Sequence, residues 1–215
     1  MAFTYFFRDV QTFEVIRDRA LPFLKTRQRI RIWDAGCAAG MEPFTLAMML
    51  RERVGAMYFR NISLLATDID ASDQFEEVIR DGIYPREQVE RIPEAYLKRY
   101  FQRNREMSHY QLEAEIRRSV RFLKHDLLTL VPPAEGFDLI ICKNVLLHFS
   151  PEQREQVVGM FRDALSPGGF LAFEQTQKLP EVFKGDFVQV EDYAQVFQRG
   201  AAVEESKTQL EEGIS

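Results

Sequence analysis

Cysteine and histidine are scarce: two of one and three of the other among 215 residues. Cys37 and Cys142 are too few for a disulfide framework or a cysteine metal cluster. His109, His125 and His148 stand far apart with no ligand spacing, so no metal site is expected and the thiols are read as free and mostly buried. An excess of base is also missing. Lysine and arginine total 28 against 33 acids, a formal net charge of −5, which supplies no field to draw a polyanion and argues against nucleic acid as a partner. No apolar run approaches the length of a bilayer span, and the opening Met1-Ala2-Phe3-Thr4 lacks the basic, apolar and small-residue layout of a signal peptide. A cytoplasmic protein without stable membrane insertion is therefore expected. There is no internal repeat, and with 46% hydrophobic residues the length suits one α/β domain with a sizeable core.

One further absence lies in the stretch around which the chain is organised. Residues 29–35 alternate apolar and basic side chains like a short strand, a small-residue turn follows, and an apolar-faced helix opens near Met41 and runs through Met48, Met49 and Leu50. Small residues let a ligand approach the backbone, and the first N–H groups of the helix can hold an acceptor or an anion. A dinucleotide site usually reads G-x-G-x-x-G, with its middle glycine against the pyrophosphate. From Asp34 to Gly40 the turn reads D-A-G-C-A-A-G, and that glycine is missing. The turn resembles the first motif of the S-adenosylmethionine-dependent methyltransferases, whose cofactor has no pyrophosphate. The bland alternative is a strand-to-helix turn that needs small residues only for packing.

Upstream, Phe13, Ile16, Ala20 and Leu24 recur at helical spacing, which predicts an amphipathic helix over about 10–25 despite Pro22. The same end carries Arg17, Arg19, Lys25, Arg27, Arg29 and Arg31, a run that is usually a solvated face but also suits an acidic partner. Downstream, the apolar run 62–70 ends in Asp68 and Asp70 where such folds place a ribose-binding carboxylate. Asp68 is the candidate, since one carboxylate accepts from both ribose hydroxyls; Asp70 or Ser72 is left to cap a helix starting near Ala71. Helical patterns at 75–79 and 94–101 flank a turn at 82–85, and 109–114 and 120–123 alternate like strands, a plausible excursion from the main sheet. Strands ending at Asp126 and Asn144 are continuous apolar runs, the mark of parallel strands covered on both faces. Their carboxyl ends place Asp34, Asp68, Asp126 and Asn144 on one rim, with Asp126 suited to the adenine amino group and Leu127 to the ring. Ser150-Pro151 starts a helix to about 165, residues 170–173 form a fifth strand, and 187–190 with 194–197 form a closing antiparallel pair. After Gly200 the chain is polar and acidic, and a frayed tail over 200–215 is expected.

Taken together and in order, Thr4-Tyr5-Phe6-Phe7-Arg8, the stretch 33–44, Ala66-Thr67-Asp68-Ile69-Asp70, the stretch 137–149 and Leu165-Ser166-Pro167-Gly168-Gly169 resemble the catalytic domain of the CheR-type chemotaxis-receptor glutamate methyltransferases. The resemblance implies an α/β, Rossmann-like class I S-adenosylmethionine-dependent methyltransferase with a small antiparallel β-subdomain. It implies an N-terminal segment, 1–28, packing on the cofactor site; a methyltransferase domain, 29–199, with the subdomain at about 105–122; and the tail. It also implies cofactor contacts at Thr4, Arg8, Ala35, Gly36, Glu42, Asp68, Asp126, Leu127, Asn144 and Val145, with Arg8 and His148 at the reacting end. Charge agrees: the methionyl carboxylate wants a cation such as Arg8, and its ammonium an anion such as Glu42. The implied reaction is methyl transfer to a carboxylate oxygen, with glutamates of a chemoreceptor-like protein as the expected acceptor. A small-molecule methyltransferase and a non-catalytic cofactor-binding module are the alternatives. Departures from the family pattern are Ala38-Ala39 in place of its serine-threonine pair, Met41 in place of a glutamate, Lys143 in place of an arginine, His148 in place of a tyrosine, and the basic helical domain that usually precedes the first motif.

Overall fold

The computed structural model describes residues 4–104 and 108–200. Helical spacing over 10–25 yields helix in three pieces rather than one: α1 (Val10–Val15), a π-helical stretch (Ile16–Ala20) and α2 (Leu21–Leu24). Pro22 explains the break, because it has no N–H to give the preceding turn and its ring crowds the carbonyl four residues back. Half of the basic run along this segment is held in ion pairs within the protein. Arg17 meets Asp18, Arg19 meets Glu191, and Arg27 meets the buried Asp138.

The chain then enters β1 (Ile30–Ala35), turns into α3 (Met41–Phe59), whose helical geometry is interrupted at Gly55, and returns through β2 (Ile62–Asp68) and α4 (Phe75–Asp81). Next come β3 (Ile83–Pro85), α5 (Arg86–Val89), α6 (Glu94–Tyr100), β4 (Phe101–Asn104) and β5 (His109–Leu112). Then α7 (Ala114–Ser119) leads to β6 (Val120–Lys124), β7 (Phe137–Cys142), α8 (Pro151–Ala164), β8 (Leu165–Phe173), β9 (Phe187–Glu191) and β10 (Ala194–Arg199). Seven strands form one sheet in the order β6-β2-β1-β7-β8-β10-β9. The first five are parallel, and the last two close the sheet as an antiparallel pair.

Alternate residues of the central strands feed two cores, as the pleat requires. Ile30, Ile32, Leu139, Ile141, Phe170 and Ala172 pack with α1, α2 and α3 on one face. Trp33, Ala35, Ile140, Cys142, Leu171 and Phe173 pack with Val157, Val158 and Phe161 of α8 on the other. Double coverage of this kind is why these strands read as unbroken apolar runs. Ser150 starts α8 with a reciprocal capping box to Gln153. Among the described residues no helix is long and apolar enough to cross a membrane.

The small antiparallel sheet does not coincide with the expected segment 105–122. It is built from β3, β5 and β4, in that order, and so draws on residues from 83 to 112. Residues 114–119 are helix, and 120–124 form the edge strand of the main sheet. The expected turn at 82–85 is a strand because Gly82, in left-handed conformation, ends α4 by donating to the Val78 carbonyl, and buried Tyr84 then anchors the chain by donating its hydroxyl to the Ala39 carbonyl at 2.9 Å. Residues 105–107 and 201–215, and with the latter nearly all of the expected tail, lie outside the described residues.

Phe6 joins this small sheet to the rest. Its ring is fully buried, edge-on to Tyr84 at 4.9 Å and to Phe101 at 5.4 Å, while the Phe7 amide donates to Thr45 Oγ1 at 3.1 Å. Phe6→Ala is expected to destabilise the fold by about 3–5 kcal/mol through lost contacts and a cavity. Urea unfolding checks this as a lower midpoint at unchanged slope.

Candidate functional site

The carboxyl ends of β1, β2, β6 and β7 border a cavity of about 560 Å³. Thr4 and Arg8 wall one side, Gly36, Cys37, Ala38 and Glu42 come from the β1–α3 turn, and Thr67, Asp68 and Ile69 from the end of β2. His125, Asp126, Leu127 and Leu128 follow β6; Lys143, Asn144 and Val145 follow β7, with Leu147, His148 and Phe149 beyond them. Thus nearly every expected site residue is brought to one place. Ala35 is the exception: it is buried in the core under α8 and does not reach the cavity. Asp34 is also off the expected rim, fully buried and not part of the lining. Lys143, noted from the sequence only as a departure from the family pattern, and His125, not singled out there, do line it; each adjoins an expected residue at a strand end, which is the signal that could have found them.

Four amides of the small-residue turn are taken up within the protein. Gly36 and Cys37 donate to the Thr67 carbonyl at 2.7 and 3.0 Å, Ala38 to Asp68 Oδ2 at 3.0 Å, and Gly40 to the Cys37 carbonyl at 3.1 Å. These four amides are committed, so they offer a pyrophosphate no cradle. Gly36 has φ +102°, and a Cβ there would stand 2.1 Å from Val145 Cγ2, so glycine is required by the close approach of the β7 loop.

Asp68 also accepts from the Asp70 amide, at its Oδ1, 3.0 Å away. With one donor on each oxygen the carboxylate is fixed in place and retains acceptor capacity on both. Asp70 itself caps α4, accepting from the amides of Gln74 and Phe75 at 3.2 and 3.0 Å and from Ser72 Oγ at 3.1 Å. The helix begins at Phe75 rather than near Ala71 because these bonds occupy the intervening residues in a turn. Asp126 Oδ1 accepts from the Leu128 amide at 2.9 Å and so starts the 3-10 turn Leu127–Thr129. His125 Nε2 lies 2.8 Å from the Val131 carbonyl, and its ring meets Trp33 edge-on.

The lining also carries the charged residues Arg8, Glu42 and Lys143. The side chain of Lys143 has no exposed surface, and its Nζ stands 3.1 Å from Glu42 Oε2. It also donates to the Arg8 carbonyl at 3.2 Å and sits 4.2 Å from the Phe13 ring centre. Arg8 Nη2 donates to Asn144 Oδ1 at 2.9 Å, and the Asn144 amide to Glu174 Oε2 at 2.9 Å. Burial pushes the Glu42 carboxyl up against the pull of Lys143, and its Oε1 has no partner among the described residues. Asp34 is held well above the usual carboxylate range by burial and by its neighbour Glu42. Phe7, Asp9, Ala38, Asp70 and Asn144 all have positive φ without being glycine, a concentration of backbone strain around the cavity of the kind found at functional sites.

Residues 2–194 match the family model described as "CheR methyltransferase, SAM binding domain". The chain belongs to this family. A chemotaxis protein methyltransferase of Listeria innocua is 36% identical over 168 residues, 77% of this chain and 61% of that protein. Another, of Borreliella burgdorferi, is 32% identical over 185 residues, 82% of this chain and 64% of that protein. The chain therefore spans about three fifths of the length of these curated relatives. Among solved structures, the DszA carbon methyltransferase aligns with a TM-score of 0.47 at 17% identity, over 78% of this chain and 36% of that one. The strand order and family membership make the fold a Rossmann-like methyltransferase domain with a small antiparallel sheet, and the family's cofactor is S-adenosylmethionine.

Burial alone would raise the Asp70 carboxyl, but the Phe75 and Gln74 amides and the Ser72 hydroxyl together hold it below the usual range. Its contribution to stability is thus present above the unfolded value of about 4 and is lost as pH falls through the lower folded value. Asp70→Ala is expected to cost about 1 kcal/mol at neutral pH. The difference from wild type shrinks in urea titrations carried out at about pH 3.

Proposed function

We propose that this domain binds S-adenosylmethionine in the cavity and directs methyl transfer to a carboxylate oxygen, with glutamate side chains of a chemoreceptor-like protein as acceptors. The observation that carries the reading is the set of charges gathered in one cavity: a fixed carboxylate, Asp68, together with a second, buried carboxylate, Glu42, and an arginine, Arg8, that acts on it. An adenosyl amino acid has the complementary groups, two hydroxyls on the ribose and an ammonium with a carboxylate at the far end. Glu42 Oε1, buried without a donor, favours a cation, and the committed amides of the turn disfavour a pyrophosphate.

In this assignment Asp68 accepts from the ribose hydroxyls, Asp126 and Leu127 adjoin the adenine, and Val145 packs against Gly36 to close the wall behind. Glu42 takes the ammonium and Arg8, held by Asn144, the carboxylate, with Thr4 and Gly36 completing the contacts. When bound, the cofactor supplies a methyl group on a positively charged sulfur. No general base is required of the protein, since a glutamate acceptor is already ionised at neutral pH. The remaining tasks are alignment and the exclusion of water. His148, exposed on the 3-10 turn Leu146–His148 at the cavity lip, offers a hydrogen-bond donor to an incoming carboxylate, and Leu147 and Phe149 beside it offer apolar cover.

Asp68→Ala is expected to weaken S-adenosylhomocysteine binding by about a hundredfold or more, two charge-assisted hydrogen bonds being lost at about 1.5–3 kcal/mol each. Calorimetry checks this, and unchanged affinity removes Asp68 from the site. With methyl-labelled cofactor and a lysate containing receptors, label is expected in protein and is released by mild base as a methyl ester would be. Label confined to small molecules, or none transferred at all, overturns the acceptor assignment.

A further inference from the structure

Two carboxyl groups, Asp34 and Glu42, lie within the influence of one ammonium, Lys143. A lysine has three N–H donors, and three contacts account for those of Lys143: Glu42 Oε2 at 3.1 Å, the Arg8 carbonyl at 3.2 Å and the face of Phe13. Nothing is left for Asp34. It is fully buried in β1, and neither of its oxygens has a hydrogen-bond partner among the described residues. The groups that bear on it are Glu42 from α3, Asp68 from β2, Lys143 after β7, and the buried Cys37 and Cys142; Arg8 and Asp9 act on Glu42 from the N-terminal segment. Acids outnumber bases in this shell, and an unpaired buried charge is avoided by keeping its proton.

We infer that Asp34 is a positioning residue for the cofactor's ammonium, protonated while no cation stands against Glu42 and ionised once one does. The inference rests on the cofactor reading proposed above. An ammonium at Glu42 adds a second cation to two carboxyl groups that had one, and the cluster then balances with both acids charged. The proton leaves Asp34 for solvent; no bond to carbon is made or broken and nothing is oxidised. Asp34 touches no ligand and acts through Glu42 and Lys143. Burial and the Glu42 charge, which hold its carboxyl high, agree with this order of events.

Linkage gives the sign. Binding that releases a proton strengthens as pH rises, by up to about tenfold per pH unit while Asp34 is protonated in the free protein and ionised in the complex. The test is calorimetry of S-adenosylhomocysteine binding between pH 6 and 8 in buffers of different ionisation enthalpy, on the wild type and on Asp34→Asn. The wild type is expected to release close to one proton per ligand where the affinity climbs with pH. Asp34→Asn is expected to release almost none and to bind with a nearly flat pH profile; Asp34→Ser gives a second neutral side chain should the first variant fold poorly. Buffer-independent heats in the wild type overturn the inference, as does undiminished release in the neutral variants, which would make Glu42 the source. Absence of binding by the wild type overturns the cofactor reading and this inference with it, whereas binding without proton release overturns this inference alone.

Discussion

The structure depends on the way the end of β2 grips the turn after β1. The Thr67 carbonyl takes two amides of that turn and the Asp68 carboxylate a third, so the backbone of residues 36–38 is set by its neighbour strand rather than by its own small side chains. Parallel pairing brings the two strand ends level. Once the turn is fixed, α3 leaves it in a single direction, and Glu42 in its first turn arrives at the cavity floor. Asp68 is therefore a structural residue and a ligand candidate at once, and the same carboxylate that shapes the turn faces the space the turn encloses.

Against this stands the burial of Lys143. An ion pair taken out of water gains little net stability over an apolar pair of the same shape, whereas losing one partner costs several kcal/mol. Through Glu42, the Arg8 carbonyl and Phe13, one ammonium ties together α3, the end of β7 and the N-terminal segment, the three elements that bring these charged side chains to the cavity lining.

Much of this was legible in the sequence because strands in a doubly covered sheet announce themselves twice, by an unbroken apolar run and by the polar residue at its end. Asp68 and Asn144 were found that way, and Ser150-Pro151 marked its helix by cap chemistry alone; the strand before Asp126 is not doubly covered as expected, since β6 is an edge strand with Arg121, Leu123 and Lys124 exposed and ends at Lys124. The small sheet was harder. Its strands have three or four residues, too few for alternation to stand out, and β3 pairs with β5 across more than twenty intervening residues. Asp34 was misplaced because strand-end position fixes the edge of the sheet on which a residue lies, but not how much of the layer above covers it. The contact between Lys143 and Glu42 has no local signature, since the sequence relates Glu42 to the cofactor and Lys143 to the family pattern but neither to the other.

Phe6 carries a consequence of its own. The segment that brings Thr4 and Arg8 to the cavity is pinned by a ring that sits in the small sheet, not in the main one. That wall behaves as a door whose latch belongs to a neighbouring room. Any partner that tightened its hold on the small sheet would tighten the latch, and a tenant in the cavity would stiffen the small sheet by the same free energy, because coupling between two sites runs equally in both directions.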